Sequence, residues 1–251
     1  MSAAVCLTLA AVHGLVWLRA RDAWANLWFT IAAVAASAVA VLELNLIHAQ
    51  TPAAYGEALR WMHVSVAVLA VAMVWFIHIY LQAGRRWLVW SYTGLRALVL
   101  PFNFLFYPNA TFAEISSLQH VEFLGEMFSI PVGEMNPWRV LILLSHLVIL
   151  LFVLDSTFGA WKQGRRRHAL TIGGTTLAIL VLGMTFSELM TRGILPGVFI
   201  TQVFLLIVLA MAFELSVDLV SARQLAQDLE ISQRRMSLAA KAANLGLWEW
   251  D

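Results

Sequence analysis

Apolar residues along this chain form runs of about twenty residues, and within each run they do not alternate with polar ones. An α-helix needs about twenty apolar residues to cross a bilayer, whereas the strands of a membrane β-barrel alternate. Short polar or charged segments separate the runs. The pattern predicts seven membrane-spanning helices, at residues 3–18, 27–47, 61–81, 87–107, 138–160, 169–190 and 198–217.

Composition supports an all-α membrane protein. Of the 251 residues, 61% are hydrophobic and only 12% are charged, whereas a soluble domain carries about 25% charged residues. The net charge is +1, and no basic stripe with interleaved aromatic residues indicates nucleic-acid binding. The single cysteine, Cys6, belongs to no metal-binding motif. The lipid bilayer is therefore the first expected partner.

The positive residues predict an orientation. They concentrate in the first, third and fifth loops, as Arg19 and Arg21, then Arg85 and Arg86, then Lys162, Arg165, Arg166 and Arg167. Cytoplasmic loops carry the excess of arginine and lysine, so these three loops are expected inside. The seven-helix bundle then has its N-terminus outside and its C-terminus in the cytoplasm, as an odd number of spans requires.

The fourth loop, residues 108–137, differs from the others in length and composition. Residues 117–123 and 126–132 mix polar and β-favouring side chains around Gly125. This pattern favours a short hairpin or cap over the outer face of the bundle.

After the last span, in residues 218–240, the amino-acid composition changes. Leu215, Leu219, Ala222, Ala226 and Leu229 alternate in steps of four and three, which is a heptad seam. Two of these five positions are alanine, so the seam is weak and suits a helix that can shift. We expect a cytoplasmic signalling helix that pairs in a homodimer. The alternative is an amphipathic helix without a partner.

Two sets of residues resemble known families. Residues 235–251, RMSLAAKAANLGLWEWD, resemble the opening of a PAS domain, with the domain starting at about residue 241. In the membrane part, RWMH at 60–63, GRRWLVW at 84–90 and GRRRHAL at 164–170 resemble the N-terminal membrane domains of proteobacterial PAS-containing sensor histidine kinases. The resemblance implies a multi-pass sensory domain, residues 1–217, in the bacterial inner membrane. It also implies a two-component histidine kinase as the full-length protein, although this chain contains no catalytic motif.

Polar residues in the spans predict where a stimulus binds. A charge inside the bilayer costs about 2.5–3.5 kcal/mol, so each one requires a reason. Those expected in the outer half converge from several spans and form the predicted site for a small, lipophilic ligand: Glu43, Asn45, His63, Arg96, Asn103, His146 and Glu188. Arg96 and Glu43 are the expected buried pair. The alternative is that these residues only hydrogen-bond between helices and fix their packing.

Other functions stay open at this point. His63 and His146 lie on separate spans, so they could ligate a haem in a redox sensor. A bound quinone is a related alternative. A small-molecule transporter is a further one, but the chain shows no internal repeat and a transporter does not need the signalling helix.

Overall fold

Long helices account for most of the described residues, which are 1–123, 125–192 and 200–242 of this computed structural model. The side chains of Phe123, Glu126, Lys241 and Ala242 are not among those described. In chain order the elements are α1 (Ser2–Arg19), α2 (Trp24–Ile47), α3 (Pro52–Leu81), α4 (Arg86–Leu105), β1 (Phe112–Phe123), β2 (Glu126–Met135), α5 (Arg139–Lys162), α6 (Arg166–Thr191) and α7 (Ile200–Ala242). Within α6, Ala169–Gly174 is π-helical.

Six of the helices in the described part are long and apolar enough to cross a membrane. The exception is α4, which has twenty residues but includes the polar side chains Arg96 and Asn103. On α5 the exposed side is a stripe of large apolar residues, among them Leu143, Leu147 and Leu151. An exposed apolar face of this extent indicates a lipid environment, so the predicted multi-pass membrane protein is confirmed at this level.

α2 and α3 pack against each other, and both helices bury small side chains. Ala32, Ala33 and Ala36 of α2 are buried, and so are Ala70 and Ala72 of α3. Small residues allow helix backbones to approach closely, which strengthens van der Waals contact where no hydrophobic effect drives helices together.

The third helix begins earlier than the sequence predicted. It starts at Pro52 instead of residue 61, because Thr51 caps it: the Thr51 side chain accepts a hydrogen bond from the Ala54 backbone N–H at 3.2 Å. A threonine followed by proline at the first helical position is a regular start signal. The hydrophobic pattern alone did not predict that residues 52–60 are helical, because they are less apolar than the span that follows.

The hairpin predicted around Gly125 is present and longer than expected. β1 and β2 pair antiparallel from Phe112 and Met135 to Phe123 and Glu126. The hairpin packs on the bundle: Phe112 joins a buried cluster that includes Leu46, Tyr55 and Met62. The Ser129 hydroxyl also donates to the Ala49 carbonyl oxygen at 2.7 Å. The hairpin is thus fastened to the ends of α2 and α3.

Asn109 organises the segment that leads into the hairpin. Its Oδ1 accepts from the backbone N–H groups of Thr111 and Phe112 at 2.9 and 3.0 Å. Its Nδ2 donates to the Gly56 carbonyl oxygen on α3 at 3.3 Å. Asn109 is fully buried, so these backbone groups have no water to replace it.

The chain separates into two compact units, Met1–Ala212 and Phe213–Asp251. The predicted signalling segment is helical, since α7 continues to Ala242 without a break. The predicted start of the last span at residue 198 lies outside the described residues, and so do residues 243–251 of the PAS-like segment. The predicted pairing of two such helices stays a prediction.

Replacement of Asn109 by alanine is expected to lower the free energy of unfolding by about 2 kcal/mol, because several buried backbone groups lose their partner. Thermal unfolding in detergent, followed by tryptophan fluorescence, measures the loss. Ser116→Ala is the control, since the Ser116 hydroxyl makes one exposed hydrogen bond in the same hairpin. Equal losses in the two variants would contradict the role given to Asn109.

Candidate ligand cavity

A cavity of about 850 Å³ lies beneath the hairpin, inside unit Met1–Ala212. Residues of α2, α3, α4, α5, α6 and the first two turns of α7 line it, and Phe112, Ile130 and Pro131 of the hairpin close one side. Pockets that hold small molecules and cofactors have volumes of about 300–1,000 Å³. The cavity is therefore large enough for a ligand of that kind.

Apolar side chains form most of the wall. They come from every element around the cavity, and examples are Leu59 and Val66 of α3, Ile142 of α5, Leu180 of α6 and Phe204 of α7. Polar side chains lie between them, and they include two histidines, three arginines and one glutamate. A mainly apolar wall with polar groups at defined places favours a lipophilic ligand held in one orientation.

Four of the seven residues predicted for the site line this cavity: His63, Arg96, His146 and Glu188. His63 Nε2 lies 2.8 Å from the Thr111 hydroxyl, which fastens α3 to the segment entering the hairpin. Arg96 is buried at 4% exposure, and its Nε donates to the Tyr92 hydroxyl at 3.0 Å. The structure thus brings together side chains that the sequence places on four different helices.

The single glutamate of the wall is already paired. Glu188 forms ion pairs with Arg139 and with Arg192, the latter at 2.8 Å. Arg139 lies on the same face of α5 as His146, seven residues and about two helical turns away. Sequence reasoning missed Arg139 as a site residue because it stands at the end of a span, although its spacing from His146 was a usable signal.

Glu43 has a different role from the one predicted. Its Oε1 accepts from the backbone N–H of Ile200 at 3.0 Å, and its Oε2 accepts from that of Thr201 at 3.1 Å. The predicted pair of Glu43 with Arg96 is therefore wrong for the described residues. The first N–H groups of a helix have no partner within it, and a carboxylate there is favoured by the helix dipole. Glu43 of α2 thus caps α7.

Two other predicted residues also lie outside the cavity wall. Asn45 is exposed on α2. Asn103 is fully buried, but its Nδ2 donates to the Arg60 carbonyl oxygen at 2.9 Å and its Oδ1 accepts from the Ala110 N–H at 3.2 Å. Asn103 is a packing residue between α3, α4 and the loop, which is the alternative that the sequence left open.

In comparisons with known proteins, no protein family, no curated protein and no solved structure gives a significant match to the chain.

Replacement of Glu43 by glutamine is expected to speed hydrogen exchange at the first amides of α7. Glutamine keeps one acceptor oxygen but loses the negative charge and the second acceptor, a loss of about 1 kcal/mol, which corresponds to exchange about fivefold faster at Thr201. Exchange measured by mass spectrometry tests this, with Glu57→Gln as the control because Glu57 is exposed on α3. Unchanged exchange at Thr201 in Glu43→Gln would show that the cap contributes nothing.

Proposed function

We propose that this chain is the sensory membrane domain of a bacterial signalling receptor, and that it binds a small lipophilic ligand in the cavity. One observation carries the proposal. Ile200, Val203 and Phe204 on the first turns of α7 belong to the cavity wall, and α7 continues as one helix to Ala242. A helix that begins at a ligand cavity and continues past the membrane-spanning length suits transmission of a binding event.

The ligand must bind two states of the bundle with different affinity, because otherwise it shifts nothing. Contacts at the start of α7 offer such a difference. Gly183 of α6 lies so close to Val203 that a Cβ on the glycine would be 2.7 Å from Val203 Cγ1. Together with the Glu43 cap, this contact ties α7 to both α2 and α6 beside the cavity. A ligand that displaces Val203 or Phe204 would move the helix against these two neighbours.

The proposed topology has seven spans, with α4 as the fourth, the N-terminus and hairpin outside, and the C-terminus in the cytoplasm. Its support is the distribution of arginine and lysine, together with the packing of α4 on both α3 and α5. Gly173, in the π-helical stretch of α6, lets this helix approach Thr157 of α5 closely. The inner membrane of a bacterium is the proposed location.

For the part of the protein after the membrane-spanning helices, we propose what the family resemblance implies. The α7 positions Leu215, Leu219, Ala222, Ala226 and Leu229 form the relay seam between two copies of the chain. A PAS domain and a histidine kinase receive the signal in the full-length protein.

Cysteine accessibility tests the topology. In a background with Cys6 replaced by alanine, a cysteine at Ser116 in the hairpin is expected to react with an impermeant maleimide on intact cells. A cysteine at Gln163, after α5, is expected to react only once the membrane is opened. The reverse pattern would invert the proposed orientation.

A matched pair of tryptophan variants tests the sensory function. Val66 lines the cavity, whereas Val68, two residues further along α3, is exposed. Val66→Trp is expected to exclude small molecules that copurify with the protein, as measured by mass spectrometry, and Val68→Trp is expected to retain them.

The same pair tests the relay. With a cysteine at Ala222 or Leu229, disulfide crosslinking in membranes is expected to change rate by about twofold or more in Val66→Trp and to stay unchanged in Val68→Trp; twofold corresponds to about 0.4 kcal/mol. Failure of both cysteines to crosslink would contradict the paired helix. Equal rates in the two tryptophan variants would contradict a relay from the cavity.

A haem or quinone redox sensor is the second candidate, because His63 and His146 line the same cavity. A haem would need His63 to bind through Nδ1 or to release Thr111. The absorption spectrum of the purified protein tests for haem, since only a haem gives a Soret band, and mass spectrometry of the extracted ligand tests for a quinone.

A further inference from the structure

The charges on the cavity wall do not balance. Three arginines, Arg96, Arg139 and Arg192, line it together with one glutamate, Glu188. Glu188 pairs with Arg139 and Arg192, which leaves Arg96 without a carboxylate partner among the described residues. Residues 193–199, which follow Arg192 in sequence, contain no aspartate or glutamate.

From this imbalance we propose that the ligand of the cavity is an amphipathic carboxylate whose headgroup binds the Arg96 guanidinium and whose apolar chain lies against the surrounding wall. The inference rests on the proposed function, because it names the ligand class of the same cavity. It goes beyond that function by assigning the sign of the ligand charge and the residue that recognises it.

The hydrogen bonds of Arg96 support this assignment. Its Nε donates to the Tyr92 hydroxyl, and its guanidinium carbon lies 5.7 Å from the centre of the Tyr92 ring. No described residue accepts a hydrogen bond from its Nη1 or Nη2. The tyrosine thus holds the side chain in place from one side and leaves two nitrogens for another acceptor. A guanidinium presents its N–H groups in a planar fork that matches the two oxygens of a carboxylate.

The burial of Arg96 favours an anion beside it. Arg96 is 4% exposed on a helix that packs between α3 and α5. A charge taken out of water is strongly destabilising until an opposite charge and further hydrogen bonds compensate for it. A neutral lipophile would fill the apolar wall and leave that charge uncompensated, whereas a carboxylate satisfies both.

The headgroup is a carboxylate and not a phosphate dianion because only one guanidinium is unpaired. His146 faces the same cavity and makes no hydrogen bond to a described residue, so its ring can add one N–H to the headgroup. His63 is already engaged with Thr111. One fork and one imidazole suit a group with a single negative charge.

Binding of decanoate to the full chain in phosphatidylcholine nanodiscs tests the inference. Decanol is the matched neutral probe, with the same chain and no charge. We expect decanoate to bind at least about tenfold more tightly at neutral pH, because a hydrogen bond to a charged group is stronger than one between neutral groups. Arg96→Gln is expected to abolish this preference and Arg96→Lys to retain part of it. Arg86→Gln is the control: it removes the same charge from an exposed position on α4 and should change nothing.

Each outcome decides one point. Equal binding of decanol and decanoate by the unaltered protein would overturn the inference and would leave a cavity for neutral ligands. If Arg96→Gln still binds decanoate more tightly than decanol, another residue recognises the carboxylate and the inference is wrong. If Arg96→Gln does not fold, the comparison of the two probes on the unaltered protein and on Arg96→Lys still decides. Displacement of decanoate by phosphatidylglycerol in the nanodisc would overturn the carboxylate in favour of a phosphodiester. Decanoate that binds through Arg96 without changing crosslinking at Ala222 would contradict the sensory function but not the ligand class.

Discussion

Charged groups buried between these helices need partners inside the protein, because neither lipid nor an apolar core supplies one. The chain meets this constraint in several ways. Asp155 pairs with Arg85, whose backbone N–H it also accepts at 2.8 Å. Glu188 pairs with two arginines, and the Glu43 carboxylate accepts hydrogen bonds from backbone N–H groups at the start of α7. Arg96 differs, since its guanidinium has a tyrosine beside it and no described carboxylate. The arrangement of hairpin, helices and cavity follows from where these partners are found.

The same partners connect the cavity to α7. Glu43 holds the first amides of the helix from α2, and the next turn supplies Val203 and Phe204 to the cavity wall. A ligand in the cavity would therefore contact the same short stretch of helix that Glu43 caps. Loss of a capping side chain at a helix end costs about 1 kcal/mol. This cost is smaller than the binding free energy of a small ligand. The proposed sensory function needs a contact of this strength, because ligand binding must be able to break it reversibly.

The sequence predicted the helices and the hairpin because length and hydrophobic pattern report directly on the bilayer and on strand pairing. It predicted which helix carries each polar residue but not the direction in which the side chain points. Glu43 and Asn45 are two residues apart on α2, yet two residues turn a helix by about 200°, so one is buried and the other exposed. The partner of Glu43 is 157 residues away in sequence, so only the folded chain brings the two together. For the same reason the sequence did not predict that Arg139 lines the cavity or that Asn103 lies outside its wall.

We propose that an anionic ligand compensates Arg96 inside an apolar cavity. A high-resolution cryo-electron microscopy map of the unaltered protein, purified from native membranes into nanodiscs, tests this most directly. We expect elongated density in the cavity, with its polar end within hydrogen-bonding distance of the Arg96 Nη1 and Nη2 atoms. A cavity that holds only discrete waters, or density whose polar end contacts Arg139 instead, would contradict it.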